Sequence, residues 1–170
     1  MDVRDATLED LPAMVAIYNQ AIAQGLRTGD VEPFTVESRR SWFDEHEPAR
    51  HPIFVAQENG AVVGYATLSA YRNGRAALRG TAEFSCYVDE IWHRRGVGSR
   101  LLAHAIAQAR DRGFKTLLAI VIEANAVSRS LLERFGFATW GFLPRVVEYG
   151  GSEYAHVYLG LRIDGDGGED

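Results

Sequence analysis

The chain has 170 residues, 46% of them apolar, and a formal charge of −5 at pH 7. That length supports one domain with a substantial core and leaves two independent domains cramped, while the acidic balance argues against a general nucleic-acid or anionic-membrane surface. A single cysteine, Cys86, excludes an internal disulfide framework and a cysteine-based zinc site, which suits a reducing cytoplasm. The start "MDVRDATLEDLPAMV" carries acidic residues and no signal-peptide apolar block, and no run of about 18 uncharged apolar residues occurs. The sequence therefore reads as a soluble cytoplasmic protein, with one domain over 1–163 and a glycine-rich acidic tail, 164–170, of disordered composition.

In chain order, "VRDA" suits a short strand. Thr7 followed by Asp10 resembles a cap, and Leu11, Met14, Val15, Tyr18 and Ile22 recur at helical spacing, predicting a helix over about 8–24. After a loop marked by Gly25, Gly29 and Pro33, Thr35 suits the N-cap of a second helix, although Ser38 stands where a capping box would place Glu or Gln. "PIFVAQ" and "VVGYATLSAY" read as a hairpin, because Asn59-Gly60 supplies the positive-φ turn. "TAEFSCYVDE" alternates as another strand. From Gly98 an apolar helical stripe, Leu101, Leu102, Ala105, Ile106 and Ala109, runs to Gly113 and is followed by the continuously apolar "KTLLAIVI". Strand, helix and buried strand make a parallel crossover. A helix over about 126–135 ends before Gly136, and two strands flank Gly150-Gly151. The fold class expected is α/β with a mixed sheet of six to seven strands and four helices: antiparallel N-terminal strands, then a parallel strand-helix-strand unit.

The chemistry begins in "DEIWHRRGVGSRLL". Gly96 and Gly98 sit between a strand and a helix, so backbone N–H groups there can converge on an anion, aided by the helix dipole. Two glycines alone fit an ordinary strand-to-helix turn equally well. No Gly-Lys-Ser/Thr follows, as a P-loop requires, and Leu101 stands where a dinucleotide fingerprint needs its third glycine.

"YVDEIWHRRGVGSRLL", with "NAVSRSLLERFGF" beyond a buried strand, resembles the acetyl-coenzyme A loop and later asparagine-containing helix of the GNAT superfamily of N-acetyltransferases. The element order matches along nearly the whole chain. "AIYNQAI", "DVEPFT" and "YRNGRAALRGTAEFSCYV" resemble the phosphinothricin or methionine sulfoximine acetyltransferase branch. The resemblance implies that Arg94, Arg95, Gly96, Val97, Gly98 and Ser99 cradle the coenzyme pyrophosphate. It further implies that Tyr87 and Val88 pair with the pantetheine arm, and that Asn125 and Ser128 also contact acetyl-coenzyme A. Glu83 becomes the general base for an amine, sharing a strand face with Ser85 and Tyr87; on its own it reads better as a solvated strand carboxylate. For the acceptor, the resemblance nominates Arg72 and Arg79, more weakly Arg75, with Glu32 for an ammonium group and Tyr87 beside them; otherwise the arginines read as a solvated turn. A backbone N–H near Val88 would receive the developing oxyanion.

Departures from the family pattern are His93, where Arg or Gln is usual, Leu132, where many relatives place Tyr or His, and the small pair Ala76-Ala77, where the branch carries bulk. His46, His51, His104 and His156 lack metal-ligand spacing, so no metal is expected. Cys86 alternates away from Glu83 into the core, and Trp42, Trp92 and Trp140 read as packing anchors. The expected activity is acetyl transfer from acetyl-coenzyme A to the amine of a small amino-acid-like acceptor of the phosphinothricin, methionine sulfoximine or sulfone class, with a homodimer common in the branch. The alternatives are another amine, such as a polyamine or a protein N-terminus, and a coenzyme-binding module without catalysis.

Overall fold

In the computed structural model, which describes residues 1–164, seven strands form one sheet in the order β1-β2-β3-β4-β5-β7-β6. The chain lays down β1 (Asp2–Asp5), α1 (Leu11–Gln24), α2 (Val36–Asp44), β2 (Ile53–Glu58), β3 (Ala61–Ala70) and β4 (Thr81–Val88). It continues through α3 (Val97–Asp111), β5 (Thr116–Ile122), α4 (Ala126–Arg134), β6 (Ala138–Tyr149) and β7 (Ser152–Arg162). All neighbouring strands are antiparallel except β4 and β5, the mixed sheet that the crossover pattern implied. Apart from Asp164, the acidic tail lies outside the described residues.

Local chemistry sets the boundaries. The Asp10 carboxylate accepts from Thr7 N–H at 2.7 Å and from both terminal nitrogens of Arg4 at 2.7 and 2.8 Å, tying β1 to the start of α1. Those bonds from Arg4 hold the Asp10 carboxyl below its usual range. At α2 the capping box closes through a serine: Ser38 Oγ accepts from Thr35 N–H at 3.0 Å, and Thr35 Oγ1 accepts from Ser38 N–H at 3.1 Å. The long side chain expected at that position is therefore not required. Asn59 and Gly60, at φ +50° and +82°, turn β2 into β3.

The sheet separates two cores. Leu101, Leu102, Ala105, Ile106 and Ala109 of α3 pack with Phe54, Leu68, Phe84 and Leu117 on one face. Met14, Ile17, Tyr18 and Ile22 of α1 pack on Val55 and Tyr65 on the other, joined by Trp42 of α2 and Tyr87 of β4. Side chains alternate along β4, so Glu83, Ser85 and Tyr87 face α1 and α2 while Ala82, Phe84 and Cys86 face α3. Trp140 departs from the anchoring role expected of it, being 51% exposed on β6. Among the described residues, no helix is long and apolar enough to cross a membrane.

Candidate active site

β4 and β5 pair at three registers only, Thr81–Thr116, Ala82–Leu117 and Glu83–Leu118, and then part. The ladder determines which peptide groups face the resulting gap. Gly80 O accepts from Lys115 N–H at 2.8 Å on the β5 side, whereas Asp89 N–H donates to Val63 O at 3.0 Å on the β3 side. Peptide directions alternate along a strand, so even-numbered residues of β4 address β5 and odd-numbered residues address β3. Cys86 and Val88 thus present N–H and C=O to the gap. This corrects the pairing expected of Tyr87 and Val88 together: the Tyr87 peptide belongs to the β3 ladder, opposite Tyr65.

At the mouth of the gap stands the start of α3. Its N-cap, Gly96, takes φ +81° and offers no capping side chain. Arg100 N–H donates to Gly96 O at 3.0 Å, and the N–H groups of Val97, Gly98 and Ser99, in the first turn, have no intrahelical carbonyl to reach. A β-carbon at Gly98 would lie 3.1 Å from Leu131 Cδ2, so α4 packs closely against this turn. The end of the helix is left as a cluster of donors with a positive dipole behind it.

A cavity of about 640 Å³ joins the gap to the helix start. Tyr87, Val88, Arg94, Gly96, Val97, Gly98, Ser99, Asn125 and Ser128 line it. Arg95 instead stacks on Trp92, its guanidinium carbon 4.9 Å from the ring centroid. His93 turns inward: Nε2 lies 3.0 Å from Val88 O, and because a carbonyl only accepts, Nε2 carries the hydrogen. Asn125, 5% exposed, accepts at Oδ1 from Ser128 N–H at 3.3 Å and from Arg27 Nη1 at 2.8 Å. Arg27 also lines the cavity. Its partner is 98 positions away in sequence, and no local signal marks it. Leu132, 3% exposed, lines the cavity without a titratable group.

On the α1 and α2 side, Glu83 is half-buried at the last β4–β5 pair, and burial raises its carboxyl above the ordinary value. Its cross-strand neighbour is Ser69, whose hydroxyl lies 3.2 Å from His46 Nε2. His46 Nδ1 donates to Trp42 O at 2.8 Å, which leaves Nε2 to accept from Ser69. Burial lowers the His46 pKa, favouring the neutral ring. The Tyr18 hydroxyl donates to Asp30, and its ring meets Tyr87 edge-on at 4.7 Å. Cys86 packs against the α3 core, where burial pushes its thiol up to about 12.

Other sequence candidates lie apart from the cavity. Glu32 is exposed on the loop before α2, and Arg72, Arg75 and Arg79 are exposed between β3 and β4. The Arg79 carbonyl accepts from Arg50. Among the described residues, no group of three or more His, Cys, Asp or Glu side chains is placed to hold a metal.

A parted sheet with unpaired peptide groups on one arm, and a helix start of uncommitted donors at its mouth, fits a long thioester cosubstrate ending in a pyrophosphate; fold and site together define an acetyltransferase. The chain belongs to the acetyltransferase (GNAT) family, whose sequence profile matches residues 16–137. It is 42% identical to a Bacillus subtilis protein provisionally named phosphinothricin acetyltransferase YwnH, over 96% of this chain and 99% of that one. It is also 34% identical to the L-methionine sulfoximine/L-methionine sulfone acetyltransferase of Pseudomonas aeruginosa, over 95% and 94% of the two chains. The crystal structure of a phosphinothricin acetyltransferase from Sinorhizobium meliloti in complex with acetyl-coenzyme A superposes with a TM-score of 0.90 at 27% identity, covering 95% and 88% of the two chains.

Proposed function

We infer that this acetyltransferase acts on the amine of a small amino-acid-like acceptor of the phosphinothricin, methionine sulfoximine or sulfone class, by direct attack on acetyl-coenzyme A. The observation that carries the reading is Glu83 at the vertex of the β4–β5 gap, half-buried and raised in pKa. Arg94 and the N–H groups of Val97, Gly98 and Ser99 bind the pyrophosphate, Cys86 and Val88 pair with the pantetheine arm, and Asn125 and Ser128 flank it. Asn125 reaches this role with Arg27 attached.

An ammonium group has no lone pair, so the acceptor loses a proton, through water, to Glu83. The amine nitrogen then bonds to the thioester carbon while a gap-facing β4 N–H near Val88, that of Cys86, donates to the oxygen gaining charge. The C–S bond breaks, sulfur leaves as thiolate, and the nitrogen gives its surplus proton to water, which yields the neutral amide. With a thiol pKa of about 8.5, the thiolate departs at neutral pH and takes its proton from solvent, so the leucine at 132 is no obstacle. Arg72 and Arg79 contact the anionic far end of the acceptor, where Ala76 and Ala77 leave the loop slim, and Glu32 partners its ammonium group. The protein works in the cytoplasm. It pairs as a homodimer through β6, whose edge exposes Trp140, Phe142, Leu143 and Val146.

The test is thiol release from acetyl-coenzyme A over phosphinothricin, methionine sulfoximine, methionine sulfone, polyamines and peptide amines, with wild type and Glu83→Gln. Selective turnover of the first three, lost in Glu83→Gln, is expected. Turnover confined to peptide amines or polyamines would overturn the acceptor class, and coenzyme binding without turnover of any amine would overturn the catalytic reading.

A further inference from the structure

Arg39, on α2, is half-buried on the sheet face that also carries Glu83 and Tyr87. Its guanidinium carbon lies 4.3 Å from the ring centroid of Trp42, 4.6 Å from that of Phe34 and 4.9 Å from that of Tyr18. Contact with aromatic rings engages the charge of a guanidinium and satisfies none of its N–H donors by a conventional hydrogen bond. Among the described residues, no carboxylate stands within ion-pair distance of Arg39, and its side chain donates no hydrogen bond. The nearby Asp30 is instead engaged by the Tyr18 hydroxyl. A cation gripped by three rings and left without an anion is a preorganised fork for a ligand carboxylate.

Its position relative to Glu83 gives that fork a meaning. From Arg39 the contacts run to Trp42, from the Trp42 ring to the His46 ring at 4.7 Å, from His46 Nε2 to Ser69 Oγ at 3.2 Å, and across the ladder to Glu83. One side of the sheet therefore holds a cation and a carboxylate joined through a single chain of neighbours. An α-amino acid is a zwitterion of complementary sign.

We propose that Arg39 binds the carboxylate of the acceptor, while Glu83 addresses its amine. The inference rests on the reading of an amino-acid-like acceptor given above. It makes Arg39 a specificity-determining residue and leaves Arg72 and Arg79, exposed on their loop, to the far end of the acceptor.

The experiment compares methionine sulfone with its C-terminal carboxamide in wild type, Arg39→Lys and Arg39→Gln. It is run with the KM for acetyl-coenzyme A and the melting temperature as controls. A lost hydrogen bond to a charged group corresponds to a rise of about 10- to 100-fold in acceptor KM. That rise is expected for Arg39→Gln on the acid, with kcat and the coenzyme KM held within about threefold, a smaller rise for Arg39→Lys, and no further loss on the carboxamide. Equal loss on acid and carboxamide, or no loss on either, would overturn the proposal. Calorimetry with N-acetylmethionine sulfone, which keeps the carboxylate and lacks the amine, tests the fork without turnover: wild type binds it and Arg39→Gln does not. If no amino acid is acetylated yet this binding difference holds, the acceptor reading fails and Arg39 stands as a carboxylate site; if turnover is selective and the binding difference is absent, Arg39 fails alone.

Discussion

The two sides of the β4–β5 gap are built from different materials. On the function proposed above, the coenzyme side is mostly main chain: peptides of Cys86 and Val88 that no neighbouring strand pairs, the first turn of α3, and two glycines whose contribution is the absence of a side chain. The proposed acceptor side is mostly side chains, an aromatic cage around Arg39, the pair His46 and Ser69, and Glu83, drawn from α1, α2 and its flanking loops, β3 and β4. A main-chain site tolerates side-chain deletion and is sensitive to added atoms. A side-chain site behaves in the opposite way, and this contrast is open to test.

The largest effect should come from Glu83→Gln, which lowers kcat by about 10²- to 10⁴-fold if one positioned base is lost. The same residue sets a pH limb. Since burial raises its carboxyl and the base form is the active one, kcat/KM should climb with pH through a midpoint above the ordinary glutamate value, and the limb should vanish in Glu83→Gln. On the coenzyme side the damaging change is an addition: Gly98→Val drives branched carbon into Leu131 Cδ2, already 3.1 Å from an ideal β-carbon. The KM for acetyl-coenzyme A should rise about tenfold or more, with the acceptor KM little changed. Arg27→Ala removes the donor to Asn125 Oδ1 and should cost about fivefold to tenfold in the same KM, an effect of one hydrogen bond. A larger cost for Arg27→Ala than for Gly98→Val would break the contrast.

The smallest effects belong to Cys86 and His93. Only the Cys86 peptide faces the gap, so Cys86→Ala should leave kcat/KM within about twofold. Its thiol, at about 12, should resist iodoacetamide at pH 8 in the folded protein, with about 10⁻⁴ present as thiolate. His93→Gln keeps a donor for Val88 O, and the KM for acetyl-coenzyme A should stay within about twofold.

The contrast also accounts for what the sequence revealed. Glycine spacing, turn pairs and apolar periodicity encode backbone geometry directly, so the order of elements, the Asn59-Gly60 hairpin, the parallel crossover and a helix starting near Gly98, one residue from the observed Val97, were legible. Peptide direction was only half legible, because assigning Cys86 and Val88 to the gap in place of Tyr87 required the ladder register. Contacts between distant segments left no trace. Arg27 meets Asn125 through the tertiary fold alone, and Arg39 sits in "TVESRRSWFDEH", where nothing local announces that Phe34, Trp42 and Tyr18 close around it. Ser38 satisfied a cap that the pattern assigned to a longer residue, because reach within a single turn depends on local geometry as well as residue type.

The three-register pairing of β4 with β5 also fixes a length. On the function proposed above, a cosubstrate anchored by its pyrophosphate at Gly96 and laid against Val88 and Cys86 points inward to where the strands join at Glu83 and Leu118. The closed ladder there acts as the stop of a ruler whose zero is the helix start. Each methylene added to the acetyl group pushes toward a hydrogen-bonded pair of strands, so propionyl- and butyryl-coenzyme A should be stepwise poorer donors.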